Sequence, residues 1–336
     1  MKNARNALII IIVIINLLML ACKQKSGKLV GFMLPHMTIK RYPVERDVFT
    51  AKVRELGGDV IFMSADNDEE KQIVQVQEIL KKNIDVLVLD PVNRFRAAEM
   101  VRTAHNKGIQ VISYDRLIAN CDVDHFMTFD AYAIGNQMTQ YALNKVPQGR
   151  YFILGGDKSD MNATMIDDAL EKTLSSPIKA GKINIVYKMF IEKYSSDDAE
   201  FEIKRFLNLS GEIPDVILAS SDMLALGAVN ACKNFGLGGK VLITGQGGEI
   251  FACKNILKGY QAMTIYKPVK KMATLAAELS VKIAKGENVD DYFKSKVFNG
   301  KEDVPSTLLE VITVDAANLK NIIVADGMIS EAELSE

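Results

Sequence analysis

The sequence predicts an α/β protein of two lobes, each built on a parallel sheet. Three observations carry that expectation. Short apolar runs with the composition of buried strands alternate with segments of helical period from residue 28 onwards. The alternation restarts at His125 without a long linker or a low-complexity stretch, as in lobes joined by several chain crossings. Apolar runs end in polar residues, most clearly where Val111-Ile112-Ser113-Tyr114 meets Asp115-Arg116, and ligands of open α/β sheets sit at strand carboxyl ends.

The chain has 336 residues, enough for roughly two domains. Its 48% hydrophobic and 25% charged content suit a globular protein with a full core. A net charge of -1 gives no reason to expect nucleic acid as a partner. Cys22, Cys121, Cys232 and Cys253 show no metal-type or redox spacing, and no cofactor or metal is expected. His36, His105 and His125 are scattered.

The N-terminus differs from the rest. Lys2 and Arg5 precede an apolar run from Ala7 to Leu20, followed by Ala21-Cys22 and a polar stretch. This charged, apolar, small-residue order is that of an export signal, and the run is short for a membrane span. A small residue directly before Cys22 resembles a bacterial lipobox, in which the cysteine thiol receives a diacylglyceryl group. We therefore expect a signal peptide over 1–21 and a lipid-anchored tether over 22–27, the alternative being an uncleaved anchor helix. Export leaves three further cysteines, an odd number, so no disulfide framework is implied.

The first lobe opens with a strand over Lys28–Leu34, a loop carrying Arg41-Tyr42, and a helix from Val44 to Leu56 closed by Gly57-Gly58. Asp59–Met63 is a strand, and Ser64 to Asn67 offer caps for a helix reaching Lys82, with Ile73, Val76, Ile79 and Leu80 on one face. Ile84–Leu89 is a buried strand closed by Asp90-Pro91. A helix near Arg94–Asn106 precedes the strand that ends in Asp115-Arg116.

In the second half, His125–Phe129 is short and apolar, Ala131–Asn144 helical, and Tyr151–Leu154 a strand entering Gly155-Gly156. Asp160 or Asn162 can cap the following helix. Ile183–Phe190, Val216–Ala219, Lys240–Thr244 and Met263–Tyr266 are strands with helices between them; a long helix follows Lys267-Pro268, and a last strand is expected near Thr307–Val314. Strands alternating with helices imply parallel pairing with right-handed crossovers.

At the Asp115-Arg116 strand end, a carboxylate that only accepts and a guanidinium that only donates can together bind the hydroxyls of a small polyol. A surface ion pair of little energetic weight is the competing reading. Other segments bear on the choice. Arg41-Tyr42 with Glu45-Arg46-Asp47, Tyr114-Asp115-Arg116, Val146-Pro147-Gln148-Gly149, Gly155-Gly156, Asp160-Met161-Asn162, Ala219–Asp222, Gly245-Gln246, Met263–Pro268 and Asp303–Ser306 come in a characteristic order. In that order the chain resembles the type I periplasmic-binding-protein family, in particular its D-xylose-binding members, from Lys28 to the tail.

The resemblance implies two Rossmann-like lobes with parallel sheets, joined by a three-crossing hinge near Asp130–Ala133, Tyr266-Lys267 and Pro305–Leu309. The N-terminal lobe would comprise 28–131 and 268–308, the C-terminal lobe 132–267 and 309–336. It implies a monomeric, exported binding protein, periplasmic or on the cell surface, that hands a monosaccharide to an ABC permease without chemistry. By the same resemblance, Arg41, Asp115 and Arg116 bind sugar from the first lobe and Asp160 and Asn162 from the second. Lys267 donates from the crossing, and Tyr42 and Tyr194 are stacking walls where the family has tryptophan. Without the resemblance both tyrosines read as exposed loop residues.

Two positions depart from the family pattern: Ser221 replaces an asparagine, and Gly247 replaces an aspartate directly after Gly-Gln. A carboxylate bonded to hydroxyls is worth about 1.5–3 kcal/mol per bond, so a changed ligand is expected, either a larger sugar or a sugar acid. Three other roles compete. Gly245-Gln246-Gly247-Gly248 between a strand and a helix can cradle phosphate in an enzyme, although its spacing is not that of a dinucleotide fingerprint. A sugar-responsive repressor would carry a basic helix-turn-helix where the export signal stands. A binding lipoprotein presenting sugar to a chemoreceptor or histidine kinase has the same sequence features as a transport protein.

Overall fold

The computed structural model describes residues 27–335, so the export segment and Cys22 lie outside the described residues. The first lobe begins with β1 (Leu29–Leu34), α1 (Arg41–Glu55), β2 (Asp59–Ser64), α2 (Glu69–Leu80), β3 (Val86–Leu89), α3 (Ala97–His105), β4 (Gln110–Tyr114) and β5 (His125–Phe129). The chain then builds α4 (Ala131–Lys145), β6 (Gly149–Gly155), α5 (Met161–Lys179), β7 (Ile183–Phe190), α6 (Ser196–Ser210), β8 (Val216–Ala219) and α7 (Asp222–Asn234). There follow β9 (Leu242–Ile243), β10 (Gln246–Gly247), α8 (Ile250–Leu257) and β11 (Met263–Tyr266). The last elements are α9 (Val269–Ala284), β12 (Ser295–Phe298), β13 (Asp303–Leu309), β14 (Ile312–Asp315) and α10 (Glu331–Ser335).

The first sheet has the order β12-β13-β5-β4-β3-β1-β2, parallel except where β12 pairs antiparallel with β13. Its central strands are apolar on both faces because helices cover both: every residue of Val86–Leu89 is buried. Phe32 and Phe49 stack with ring centroids 4.1 Å apart, tying β1 to α1. In the second lobe β7-β6-β8-β9 and β10-β11-β14 are two sheets that follow on from one another. Thr244 N donates to Ile217 O at 3.1 Å and Ile265 N to Gly245 O at 3.0 Å, so one chain segment, 242–247, pairs β8 with its first half and β11 with its second.

Three segments pass between the sheets. Asp130 leads from β5 into α4, where its carboxylate accepts from Ala133 N at 2.9 Å, and its own N–H donates to Leu309 O at 2.9 Å. Lys267-Pro268 returns the chain from β11 to α9, which packs on α1, β1 and β3 of the first lobe. Glu310-Val311 separates β13, paired with β5, from β14, paired with β11. The single tail strand expected over Thr307–Val314 is therefore two strands in two sheets. The β12–β13 hairpin was not expected, although Asn299-Gly300, with Gly300 at φ +100°, is a turn signal.

Two helix starts also differ from expectation. Arg41 and Tyr42 lie in the first turn of α1 and not in a loop, because Pro43 needs no N–H partner there and its fixed φ suits a helix start. Helix α2 is capped by Asp68, whose carboxylate accepts from Lys71 N, while Asp66 and Asn67 form a left-handed turn before it, at φ +53° and +60°. Cys121, Cys232 and Cys253 are buried and unpaired. Burial pushes the Cys253 thiol up to about 12.

Candidate functional site between the two lobes

The carboxyl end of β4 is held in an unusual shape. Asp115 adopts φ +59°, a conformation that L residues avoid without support from their surroundings. Its N–H donates to Met127 O at 2.8 Å, and Thr128 Oγ1 donates to its carbonyl at 2.8 Å. The turn presents the Asp115 carboxylate to Arg41, with Nη1 3.3 Å from Oδ2. Burial opposes ionisation of Asp115, but the charges of Arg41, Lys267 and Arg116 outweigh it and hold the carboxyl below its usual range.

Arg41 is itself anchored one helical turn further along α1, its Nε donating to the fully buried Glu45 at 2.7 Å. Arg41 Nη2 is buried and, among the described residues, has no hydrogen-bond partner. Tyr42 is buried, edge-on to His36 and beneath the Arg41 guanidinium. Arg116 makes no ion pair with its neighbour Asp115. It donates to Pro91 O at 3.3 Å, and Asp90 is the first of the negative charges acting on it. The surface ion-pair reading of Asp115-Arg116 therefore fails.

From the second lobe, Asp160 caps α5: Oδ1 accepts from Asn162 N at 2.9 Å and Oδ2 from Tyr194 Oη at 2.9 Å. Tyr194, at φ +53°, packs where a Cβ on Gly156 would stand, which explains the glycine. Asn162 Nδ2 donates to Asp115 O at 3.0 Å, and Arg94 Nη2 to Met161 Sδ at 3.3 Å, two bonds that cross from lobe to lobe. Lys267 is half-buried at the second crossing. Burial and then Arg41 depress its pKa, against Asp115, Glu45 and Asp160. With its amide oxygen turned to Lys267, Gln246 accepts from Nζ at 2.9 Å and donates to Ser220 O at 3.3 Å.

Arg41, Tyr42, Asp115, Arg116, Asp160, Asn162, Tyr194 and Lys267 are thus linked by these contacts and by the charges they exert on one another. Ser221 has a local task as well, its Oγ accepting from Leu224 N to cap α7. Gly247, at φ +141°, lies on a loop wrapped around the buried Asp222. Asp222 Oδ2 accepts from Gly248 N at 2.7 Å, Glu249 N at 3.0 Å and Thr264 Oγ1 at 3.0 Å, and Oδ1 from Gln261 Nε2 at 3.0 Å. The amides expected to cradle phosphate are therefore already bonded to a carboxylate. A Cβ on Gly245 would stand 2.2 Å from Asp222 Oδ1, which accounts for that glycine.

Asp90, Asp222, Gln246 and Glu249 were not among the candidates. Asp90 closes β3 next to the Asp115 turn, and the strand-end rule that picked out Asp115 applies to it equally. It is fully buried with both carboxylate oxygens unpartnered; burial raises its pKa well above the usual range in spite of Arg116. Asp222 immediately follows the capping serine, and no sequence signal shows that its partners come from three later segments. A hollow at the crossings, bounded by Phe129, Pro268, Lys271, Leu309, Glu310 and Ile312, shares no lining residue with the charged cluster.

Two hinged α/β lobes with charged strand ends converging between them define a solute-binding protein of the periplasmic type. Residues 30–288 match the periplasmic binding protein domain family, and the chain belongs to that family. It is 34% identical over 298 residues to the D-xylose-binding periplasmic protein of Haemophilus influenzae, covering 89% of each chain. It is 33% identical to the Escherichia coli D-xylose-binding periplasmic protein, covering 91% of this chain and 92% of that one. An ABC transporter solute binding protein from Clostridium phytofermentans, solved with bound β-D-glucose, superposes with a TM-score of 0.83 at 26% identity, covering 91% of this chain and all of that one. These relatives are binding proteins and not enzymes, in keeping with a site of donors and acceptors.

Proposed function

We propose that the chain is the substrate-binding lipoprotein of an ABC sugar importer and closes its lobes on one monosaccharide, a xylose-like pentose or a hexose. The observation that carries this reading is the buried, partnerless Nη2 of Arg41 beside Asp115, a donor and an acceptor side by side where both lobes meet. The relatives named for D-xylose support a sugar as the ligand. A sugar held by the first lobe offers hydroxyls to Asp160, Asn162 and Lys267, so closure is favoured by contacts available only in the closed state. The lobes then present one surface to a permease. Cys22 carries the lipid that keeps the protein at a membrane after export.

Titration calorimetry with pentoses, hexoses and uronates tests the binding reading: saturable binding of at least one neutral monosaccharide is expected, and no binding of any would overturn it. Mass spectrometry of the mature N-terminus tests the anchor. A diacylglyceryl group on Cys22 is expected, and an unmodified cysteine in the exported protein would refute it.

A further inference from the structure

The loop after β10 carries a carboxylate with no role in the fold. Asp222 pins Gly248 N and Glu249 N, so the position of Glu249 is set by its backbone. Glu249 is the N-cap residue of α8, yet its side chain makes no capping bond. Among the described residues its carboxylate forms neither a hydrogen bond nor an ion pair, although the side chain is half-buried. Its Cγ lies 3.6 Å from the point where a Cβ on Gly247 would stand. It therefore lies in van der Waals contact with the place where a side chain at 247 would begin. Burial and then the charge of Asp222 raise its pKa, against the positive charges of Arg41, Lys267 and Lys40, the residue just before α1.

A half-buried carboxylate costs free energy unless something bonds to it. Neither nearby cation bonds it: Arg41 directs Nε and Nη1 to Glu45 and Asp115, and Lys267 bonds Gln246. What remains is a bare acceptor at the edge of a cluster rich in donors. With Glu45, which bonds Arg41, and Glu249 included, the cluster sets Arg41, Arg116 and Lys267 against Glu45, Asp115, Asp160 and Glu249, and needs no further negative charge. A ligand suited to that cluster offers hydroxyls and no net charge.

Building on the sugar-binding reading above, we propose that Glu249 is a specificity-determining ligand residue: it accepts hydroxyls of a neutral sugar in place of a side chain at position 247 and disfavours sugar acids. The carboxylate bonds a hydroxyl pair strongly because the acceptor is charged. A uronate carboxylate in the same place meets like charge in a partly desolvated site.

The test is calorimetry on the full mature protein with xylose, glucose and glucuronate, for wild type, Glu249→Gln and Glu249→Asp. For Glu249→Gln, the affinity for the preferred neutral sugar should fall about 10- to 100-fold, while that for glucuronate stays level or rises. Glu249→Asp, which keeps the charge but shortens the reach, should lie between the two and also serves if the glutamine variant fails to fold. Neutral-sugar affinity unchanged in both folded variants, or equal losses for glucose and glucuronate, would overturn the role of Glu249 and leave sugar binding standing. No binding of any sugar by the wild type would overturn both.

Discussion

Asn162 Nδ2 donates to the carbonyl oxygen of Asp115 at 3.0 Å, joining the start of α5 in one lobe to the end of β4 in the other. The acceptor is a backbone atom of a residue in a left-handed conformation, so the bond depends on the turn as well as on the asparagine. The same Asp115 offers its carboxylate to Arg41. One residue thus serves both the contact between lobes and the charged cluster.

Asn162→Ala removes a contact made only when the lobes are together. A neutral hydrogen bond contributes about 1 kcal/mol, so the closed-to-open ratio and the sugar affinity should each fall about fivefold. Small-angle scattering with and without sugar reads the first and calorimetry the second. Unchanged values would show that this bond does not bias closure.

Arg116→Ala should abolish measurable sugar binding and also lower stability, because it leaves Asp90 buried without its nearest cation. A buried polar group left further uncompensated costs about 1–3 kcal/mol. Adding Asp90→Asn should recover most of that loss and none of the binding. Denaturant melts together with calorimetry separate the two effects, and recovery of binding in the double variant would contradict them.

Acidity should act on Asp115 and Asp90 in opposite senses. The Asp115 pKa is depressed in the fold, so its contribution is present above the unfolded value of ~3.9 and is lost as pH falls through the folded value. The Asp90 pKa is raised, so its contribution is greatest below ~3.9 and is lost as pH rises towards the folded value. In thermal melts across this range, Asp115→Asn should lose part of the decline on the acid side. The stability gain of Asp90→Asn over wild type should grow as pH rises. The reverse ordering would contradict both assignments.

Gly247→Asp is not expected to strengthen sugar binding, even though it supplies a carboxylate. At φ +141° any side chain is strained, and its Cβ would meet Asp222 Oδ2 at 3.2 Å and Glu249 Cγ at 3.6 Å. A loss of about 1–3 kcal/mol in stability with weaker sugar binding is expected in melts and calorimetry. Tighter binding at unchanged stability would show that the loop can relax.

Much of the architecture was legible because strands and helices leave periodic marks. Val86–Leu89 is apolar throughout and Val111–Tyr114 is apolar but for Ser113, as buried parallel strands are, and Asp115-Arg116 stood out by ending one of them. The boundaries that went astray rest on weaker signals. Pro43 reads as a helix breaker until it is placed in a first turn. The run from Thr307 to Val314 reads as one strand because no residue type marks a passage from one sheet to another at Glu310-Val311.

The sequence by itself determined the two-lobed α/β plan, the strand end at Asp115 and the place of Gly247 in a glycine-rich loop, since each follows from residue type and spacing along the chain. The tertiary structure decided which side chains meet. It brought Arg41 to Asp115 across 74 positions, enclosed Asp222 with donors from Gly248, Gln261 and Thr264, and left the carboxylate of Glu249 without a partner. The physical reason is range. Helical and strand periods are local properties of the backbone, whereas charge pairing and the burial of a carboxylate depend on distances that exist only once distant segments have packed together.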